Sequence, residues 1–160
     1  MRSPHSPEPL EAGTAVAAPV GALPREFRLP AVPAQLVIAR GHVERAALAM
    51  GFDERATYEI VFAVNEAVTN AVQHGSPDHA GTIGLFIEPG DDGLTVVVSD
   101  SGSFGPSPAD CAPTSEQGRG LVLMSQLMDQ VDLLPCAEGT VVRLHRDRNG
   151  ASAIGGDRGA

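Results

Sequence analysis

The sequence between Gly51 and Gly75 is the longest stretch of this chain without proline or glycine, and it limits what the chain can fold into. The 160 residues include 18 glycines and 13 prolines, which break the rest into shorter segments. Asp53 is a favourable helix N-cap and Gly75 is a stop signal, so we predict one helix from Glu54 to His74. Such a helix is about 30 Å long, and the remaining elements must pack against it.

A shorter helix is predicted upstream, after Pro33 and through Met50, with Gly51 ending it. The short segment 27–29 lies between prolines and suits at most an edge strand. The apolar stripe predicted for the upstream helix consists of Leu36, Val37, Val43, Ala47 and Met50.

Beyond the long helix the hydrophobic period changes to two. Residues 82–88 alternate, and the turn at 89–93 leads into the apolar run from Leu94 to Val98, which predicts an antiparallel hairpin. A third helix is predicted after Gly120, over residues 121–128, followed by strands at 131–134 and 140–145. This order predicts an α+β fold, a two-layer sandwich of helices on a mostly antiparallel sheet.

Composition separates one folded domain from two tails. Residues 1–24 are rich in proline, alanine and glycine, and residues 148–160 are rich in glycine and alanine, so we expect a disordered leader, a domain at 25–147 and a disordered tail. No segment approaches the roughly 20 apolar residues of a membrane helix. The two cysteines lack CxxC spacing, which fits a reducing compartment. We therefore expect a soluble, cytoplasmic protein with no membrane partner.

The charged residues exclude several functions. All 11 basic residues are arginine, and the net charge is −9. The chain therefore has no P-loop lysine, no Schiff-base lysine and no lysine-rich surface for nucleic acid. We expect no direct nucleic-acid binding, and any phosphate that binds must be held by a local site.

Three polar residues of the long helix have the spacing i, i+4, i+8. Glu66, Asn70 and His74 are each about 6 Å from the next along the helix axis and lie along one face. Carboxylate and amide oxygens are ligands that Mg²⁺ prefers, so this line is a candidate cation and proton-transfer surface. The alternative is the solvent face of an amphipathic helix.

Three more segments carry candidate ligand groups. Asp100 ends an apolar strand, where it can accept a hydrogen bond from an exocyclic amine, and Gly102 allows a flat ring to approach; the alternative is an ordinary turn. The segment Gly118-Arg119-Gly120 suits anion binding at a helix start, or else a flexible loop entry. Thr140 offers a hydroxyl to a purine edge, or is simply a β-branched strand residue.

Taken in order, these motifs resemble the histidine-kinase-like ATPases. The helix motif E-A-V-T-N-A-V-Q-H at 66–74, D-S-G at 100–102, G-R-G-L at 118–121 and G-T at 139–140 follow the order of that superfamily. The first and third segments resemble the anti-sigma-factor serine kinases in particular. The resemblance extends over residues 27–146.

The resemblance implies a site for ATP and Mg²⁺. It assigns Glu66 as the general base and Asn70 as the Mg²⁺ ligand, with His74 at a supporting position. It assigns Asp100 to adenine. The remaining implied members are Gly102 beside the adenine ring, Gly118 and Gly120 near the phosphates with Arg119 as a further phosphate contact, and Thr140 supporting the adenine pocket.

The sequence departs from the family pattern around the nucleotide. The usual D-x-G-x-G box is interrupted, since Ser103 is followed by Phe104 before Gly105. The following segment to residue 117 is short and contains three prolines, so it would cover a nucleotide only partly.

The implied function is that of an ATP-dependent serine/threonine protein kinase that also acts as an anti-sigma factor. Its implied partners are a sigma factor, a phosphorylatable anti-anti-sigma protein and a second copy in a homodimer. The first helix with the first strand is where we expect partners to dock, with Arg40 and Arg45 as candidate contacts. The alternatives are a non-catalytic ATP-binding module that acts by docking alone and, less favoured because no helix pair carries a phosphoacceptor histidine, a detached histidine-kinase domain.

Overall fold

The computed structural model describes residues 23–74, 81–100, 116–136 and 139–149. The predicted leader and tail lie mostly outside these residues. The elements in chain order are β1 (Arg25–Pro30), α1 (Gln35–Ala49), α2 (Glu54–His74), β2 (Thr82–Pro89), β3 (Gly93–Asp100), α3 (Glu116–Leu127), β4 (Gln130–Cys136) and β5 (Gly139–Asp147).

The strands form one antiparallel sheet in the order β1-β2-β3-β5-β4. The predicted α+β fold, the hairpin of β2 and β3, and the edge position of β1 are confirmed. Strand β5 lies between β3 and β4, an order that hairpin signals alone do not specify. Alternation directs Leu94, Val96 and Val98 of β3 into the core beneath the helices, where each is at most 1% exposed.

Helix α2 has the predicted bounds and forms the centre of the helical layer. The backbone N–H of Ala56 donates to Asp53 Oδ1 at 2.7 Å, so Asp53 is the expected N-cap. The buried face of α2 includes Ile60, Val64 and Val68. Among the described residues, no helix combines the length and apolarity that a membrane span requires.

Helix α1 packs largely through the predicted stripe, of which Val43, Ala47 and Met50 are buried and Leu36 packs against the core. Ala39, Val43 and Ala47 are buried at spacings of four, whereas Val37 is 60% exposed. The prediction for Val37 was wrong because two residues are about 200° apart on a helix, so Val37 faces away from Ala39. Gly51 ends the helix as predicted, with a φ of 83° that favours glycine.

An aromatic contact fixes α1 against β1. The rings of Phe27 and His42 stack with centroids 3.7 Å apart. Burial lowers the pKa of His42, and the charges of Arg45 and Arg25 lower it further. Arg45 Nη2 lies 3.0 Å from His42 Nδ1 and can donate to it when the imidazole is neutral.

Helix α3 begins earlier than the sequence predicts. It starts at Glu116, so the expectation that the helix follows Gly120 was wrong. Glutamate and glutamine, the residue types at positions 116 and 117, are good helix formers. Met124 and Met128 anchor the helix and its C-terminal end in the core.

A buried ion pair joins the two layers. Arg146 of β5 donates through Nη2 to Glu59 Oε2 of α2 at 2.7 Å, with side chains only 4% and 9% exposed. Arg146 Nη1 donates to the backbone carbonyl of Leu127 at the end of α3. Arg55 also binds Glu59 at 3.1 Å, and Asp129 lies 3.7 Å from Arg146 Nε. One guanidinium therefore connects β5, α2 and α3.

We predict that Arg146→Ala lowers the free energy of unfolding by about 3 kcal/mol, because it leaves the buried Glu59 carboxylate without its main partner. The matched control is Arg143→Ala on the same strand, whose pair with Asp132 at 3.6 Å is about half exposed. That control should lose about 0–1 kcal/mol. Urea unfolding followed by circular dichroism measures both, and equal losses would contradict a special role for the buried pair.

Candidate functional site

The predicted motifs of α2 and α3 meet in the structure. A Cβ atom built on Gly120 would lie 3.4 Å from Asn70 Nδ2 and 3.4 Å from Glu66 Oε2. The helices therefore approach closely where α3 has no side chain. The carboxylate of Glu66 and the amide of Asn70 therefore meet the helix backbone at Gly120, which is 50 residues further along the chain than Asn70.

Gly120 allows close packing at this location. As the fifth residue of α3, it can donate its amide to an i−4 carbonyl within the helix. Its missing side chain lets the α3 backbone lie directly against the polar ends of Glu66 and Asn70, and Gly120 is buried there. The first turn of α3, which includes Gly118 and Arg119, is the positive end of the helix dipole.

A second pair of predicted residues lies on neighbouring strands. Asp100 is the last residue of β3 and is directly opposite Thr140, the second residue of β5, in the antiparallel register. Thr140 is 1% exposed, and Asp100 is partly buried. A strand-end carboxylate and a buried hydroxyl side by side can present an acceptor and a donor to one flat polar ligand.

The helix pair Glu66 and Asn70 and the strand pair Asp100 and Thr140 lie toward the same end of the molecule. The Glu59–Arg146 pair fixes one end of both α2 and β5. From that contact α2 runs on to Glu66 and Asn70, while β5 runs back to Thr140. Because α2 packs on both β3 and β5, we infer that Asn70 and Thr140 face the same end of the sheet.

The other predicted residues have varied positions. His74 is the last residue of α2 and is partly buried. Arg119 is exposed at the start of α3, and Gly118 beside it is buried. Gly102, the altered aspartate-glycine box and residues 103–115 of the short segment before α3 lie outside the described residues.

The donor set fits a magnesium nucleotide. Glu66 and Asn70 are partly buried and supply a carboxylate and an amide oxygen, the ligand types that Mg²⁺ selects. The α3 backbone packs against both side chains at Gly120, which brings them near the first turn of α3, where the helix dipole favours an anion.

Sequence reasoning missed the residues that hold these elements in place. Glu59 lies seven residues before Glu66, on the same face of α2 after two turns. The partner of Glu59 is Arg146, and the sequence indicates that this arginine is buried. Alternation in β5 places Arg146 on the core face with Val142 and Leu144. A charged residue at a core-facing strand position predicts a buried partner.

Known proteins similar to this chain are histidine kinase-like ATPases and serine-protein kinases. The family model for the histidine kinase-like ATPase domain matches residues 29–146. The serine-protein kinase RsbW of Bacillus velezensis is 33% identical over 138 residues, covering 78% of this chain and 86% of the relative. RsbW of Bacillus subtilis is 34% identical over 119 residues, covering 66% of this chain and 74% of the relative.

Solved structures agree on the fold. The RsbU and RsbW domains of a Mycobacterium tuberculosis protein match with a TM-score of 0.62 and 25% identity, covering 80% of this chain and 33% of that longer one. The histidine kinase domain of a blue-light-activated kinase from Erythrobacter litoralis matches with a TM-score of 0.51 and 21% identity, covering 69% of this chain and 61% of that one. The second likeness supports the fold alone.

We predict that Gly120→Val weakens Mg-ATP binding by about tenfold or more, because its branched side chain occupies the space between α3 and the Glu66 and Asn70 side chains. Gly41→Val is the matched control, since a Cβ there would contact only the flexible Arg45 side chain, at 3.5 Å. Isothermal titration calorimetry on both variants tests this. Unchanged affinity in Gly120→Val would show that the contact of the two helices is not part of a nucleotide site.

Proposed function

The chain belongs to the histidine kinase-like ATPase domain family, within the branch of the RsbW serine-protein kinases, and from that premise we propose that it is an ATP-dependent protein serine/threonine kinase and anti-sigma factor. Its proposed substrate is a serine or threonine of an anti-anti-sigma antagonist protein, and its proposed second partner is a sigma factor. The observation that carries the proposal is the approach of Gly120 to both Glu66 and Asn70.

Asn70 and the start of α3 are the proposed holders of Mg-ATP, which supplies the transferable γ-phosphoryl group and the metal charge that offsets its negative charge. The Asn70 amide oxygen is the proposed metal ligand. Gly118 and Arg119 lie in the first turn of α3, where the positive end of the helix dipole favours an anion. No lysine is available for this task, so backbone donors, Mg²⁺ and one arginine hold the phosphates.

Glu66 is the proposed general base. It lies one helical turn before Asn70, on the same face of α2, and therefore close to where the metal would be held. In that position its carboxylate can accept the proton of the substrate hydroxyl as the hydroxyl oxygen becomes bonded to the γ-phosphorus and the bond from that phosphorus to the departing ADP breaks. The rest of the catalysis is positioning, which the close packing of α2 and α3 provides.

Asp100 and Thr140 are the proposed adenine contacts. They are neighbours across β3 and β5, so a single ring can contact both. An Asp100 carboxylate accepts a hydrogen bond from an exocyclic amine, and a Thr140 hydroxyl can donate to or accept from a ring edge. This pairing supports adenine over a nucleobase whose corresponding edge carries a carbonyl.

A groove between α1 and α2 is the proposed docking surface for protein partners. Its walls include Val37, Leu48 and Tyr58, which are 60%, 54% and 66% exposed. Large apolar side chains that cluster on an exposed surface are typical of protein interaction sites. Arg40, predicted as a docking contact, lines this groove, whereas Arg45 lies beside His42 on another side of α1.

We predict that Glu66→Gln keeps Mg-ATP affinity and lowers phosphoryl transfer to the antagonist protein by about 100-fold or more, because an amide cannot accept the hydroxyl proton. Asp100→Asn should instead weaken ATP binding, because an amide nitrogen replaces one acceptor oxygen. Calorimetry with Mg-ATP and transfer of labelled γ-phosphate measure the two effects separately. The control is Glu88→Gln, an exposed glutamate of β2 that lies outside the groove and the proposed nucleotide site.

The outcomes separate three possibilities. Retained transfer in Glu66→Gln would overturn the assignment of the base. ATP binding by the unmodified protein without transfer to any cognate partner would favour the non-catalytic docking module. Equal binding heats for Asp100→Asn and the unmodified protein would remove the adenine assignment.

We predict that Leu48→Asp reduces recovery of the protein partners by about tenfold while Mg-ATP binding is unchanged, because a carboxylate would be buried against an apolar partner surface. Leu134→Asp on β4 is the matched control, since it is 53% exposed and lies outside the groove. The measurement is a quantitative pull-down with and without ATP, read by mass spectrometry for partner and phosphoserine. An equal loss of partner recovery in Leu48→Asp and Leu134→Asp would contradict docking in the groove.

A further inference from the structure

A separate group of chemically active side chains lies at the other end of the sheet. Asp92 is in the turn between β2 and β3, and His145 and Asp147 are near the end of β5. One ligating atom from each of the three lies within 4.8 Å of the others. Thr95 beside them is five residues from Asp100, or about 17 Å along β3, so the group is distinct from the proposed nucleotide site.

The backbone fixes the three residues relative to one another. Gly93 is opposite Asp147 and Thr95 is opposite His145 in the register of β3 and β5. The N–H of Arg148 donates to the carbonyl of Asp92 at 2.8 Å, which ties the turn to the end of β5. The three side chains therefore start from anchored backbone positions.

His145 is oriented by a residue outside the group. Thr95 Oγ1 lies 2.8 Å from His145 Nδ1, and Thr95 is only 7% exposed. This contact directs the other ring nitrogen, Nε2, toward Asp147 Oδ1, which lies 3.0 Å away. The His145 side chain is 12% exposed. A hydrogen bond to the non-ligating nitrogen is what orients metal-binding histidines in proteins.

The charge around the group favours a cation. Two carboxylates face one imidazole, and the arginines of this region have other contacts. Arg146 faces the core and binds Glu59, and Arg143 pairs with Asp132. Arg148 directs its guanidinium to the carbonyl of Asp91.

We propose that Asp92, His145 and Asp147 bind one Zn²⁺ ion, through Nε2 and one oxygen of each carboxylate, with water in the remaining position. The imidazole nitrogen favours zinc over Mg²⁺ or Ca²⁺, which prefer oxygen ligands. His145 Nε2 and Asp147 Oδ1 are 3.0 Å apart, close enough to share one zinc ion with bonds of about 2.0–2.2 Å, and rotation of the exposed Asp92 side chain can bring the third ligand to the ion. Zinc at Nε2 replaces the proton through which Nε2 donates to the Asp147 carboxylate, and the bound imidazole then carries its proton on Nδ1 and donates a hydrogen bond to Thr95 Oγ1.

Bound zinc would clamp the β2–β3 turn to the end of β5. It would stabilise the folded chain without involving Glu66, Asn70 or Asp100, so the inference does not rest on the proposed kinase function. Saturating Zn²⁺ should therefore raise the melting temperature by a few degrees in the absence of nucleotide.

The test titrates Zn²⁺ alone into the full chain, without nucleotide, in competition with a chromophoric chelator. We expect one equivalent to bind, about a 100-fold weaker affinity in His145→Ala, and about a tenfold weaker affinity in Thr95→Val, which keeps the ligands and removes the orienting hydroxyl. The controls are His42→Ala, a histidine of α1, and Asp91→Asn, the neighbour of Asp92 in the same turn. Both should bind as the unmodified protein does.

Three results would overturn the inference: no stoichiometric Zn²⁺ binding, binding that persists in His145→Ala, or binding lost equally in His42→Ala. Circular dichroism checks that each variant is folded. If His145→Ala unfolds, Asp92→Asn decides, because Asp92 is exposed in a turn and its loss should weaken zinc binding while leaving the fold intact. Unchanged affinity in Asp92→Asn would then reject the site.

Discussion

The ion pair between Glu59 and Arg146 is the constraint on which the arrangement of the helices depends. A buried arginine requires a carboxylate partner, and this one also binds the carbonyl of Leu127 at the end of α3. Seven residues separate Glu59 from Glu66, and seven separate Gly120 from Leu127, which is about 10 Å in each helix. With α3 antiparallel to α2, fixing one end of α3 beside Glu59 places Gly120 beside Glu66.

The two ends of the sheet carry different chemical groups. At one end Asp100 and Thr140 are neighbours below the polar face of α2, and at the other the turn after β2 meets the end of β5 around His145. In the proposed nucleotide site, helix amides and a metal ion would supply the positive charge that side chains of this acidic, lysine-free chain do not. The net charge of the protein describes its long-range field, and it leaves the chemistry of a single site open.

Most elements were predictable from local patterns. The N-cap at Asp53, the bounds of α2 and the hairpin of β2 and β3 follow from capping and from periods of 3.6 and two. The start of α3 was not predicted because glycines suggested a break where neighbouring helix formers and packing allow a helix. Val37 was misassigned because apolar character alone does not tell which side of a helix faces the core.

The sequence by itself determined the type of each element, the bounds of α2 and the chemistry available along α2, because these depend on residues within a few turns of one another. Only the tertiary structure decided that β5 lies between β3 and β4, that Gly120 approaches Glu66 and Asn70, and that Arg146 binds Glu59. The last two partners are 87 residues apart. Contacts at such separations form only when the whole sheet closes beneath the helices, and no local pattern specifies which of the available partners will meet.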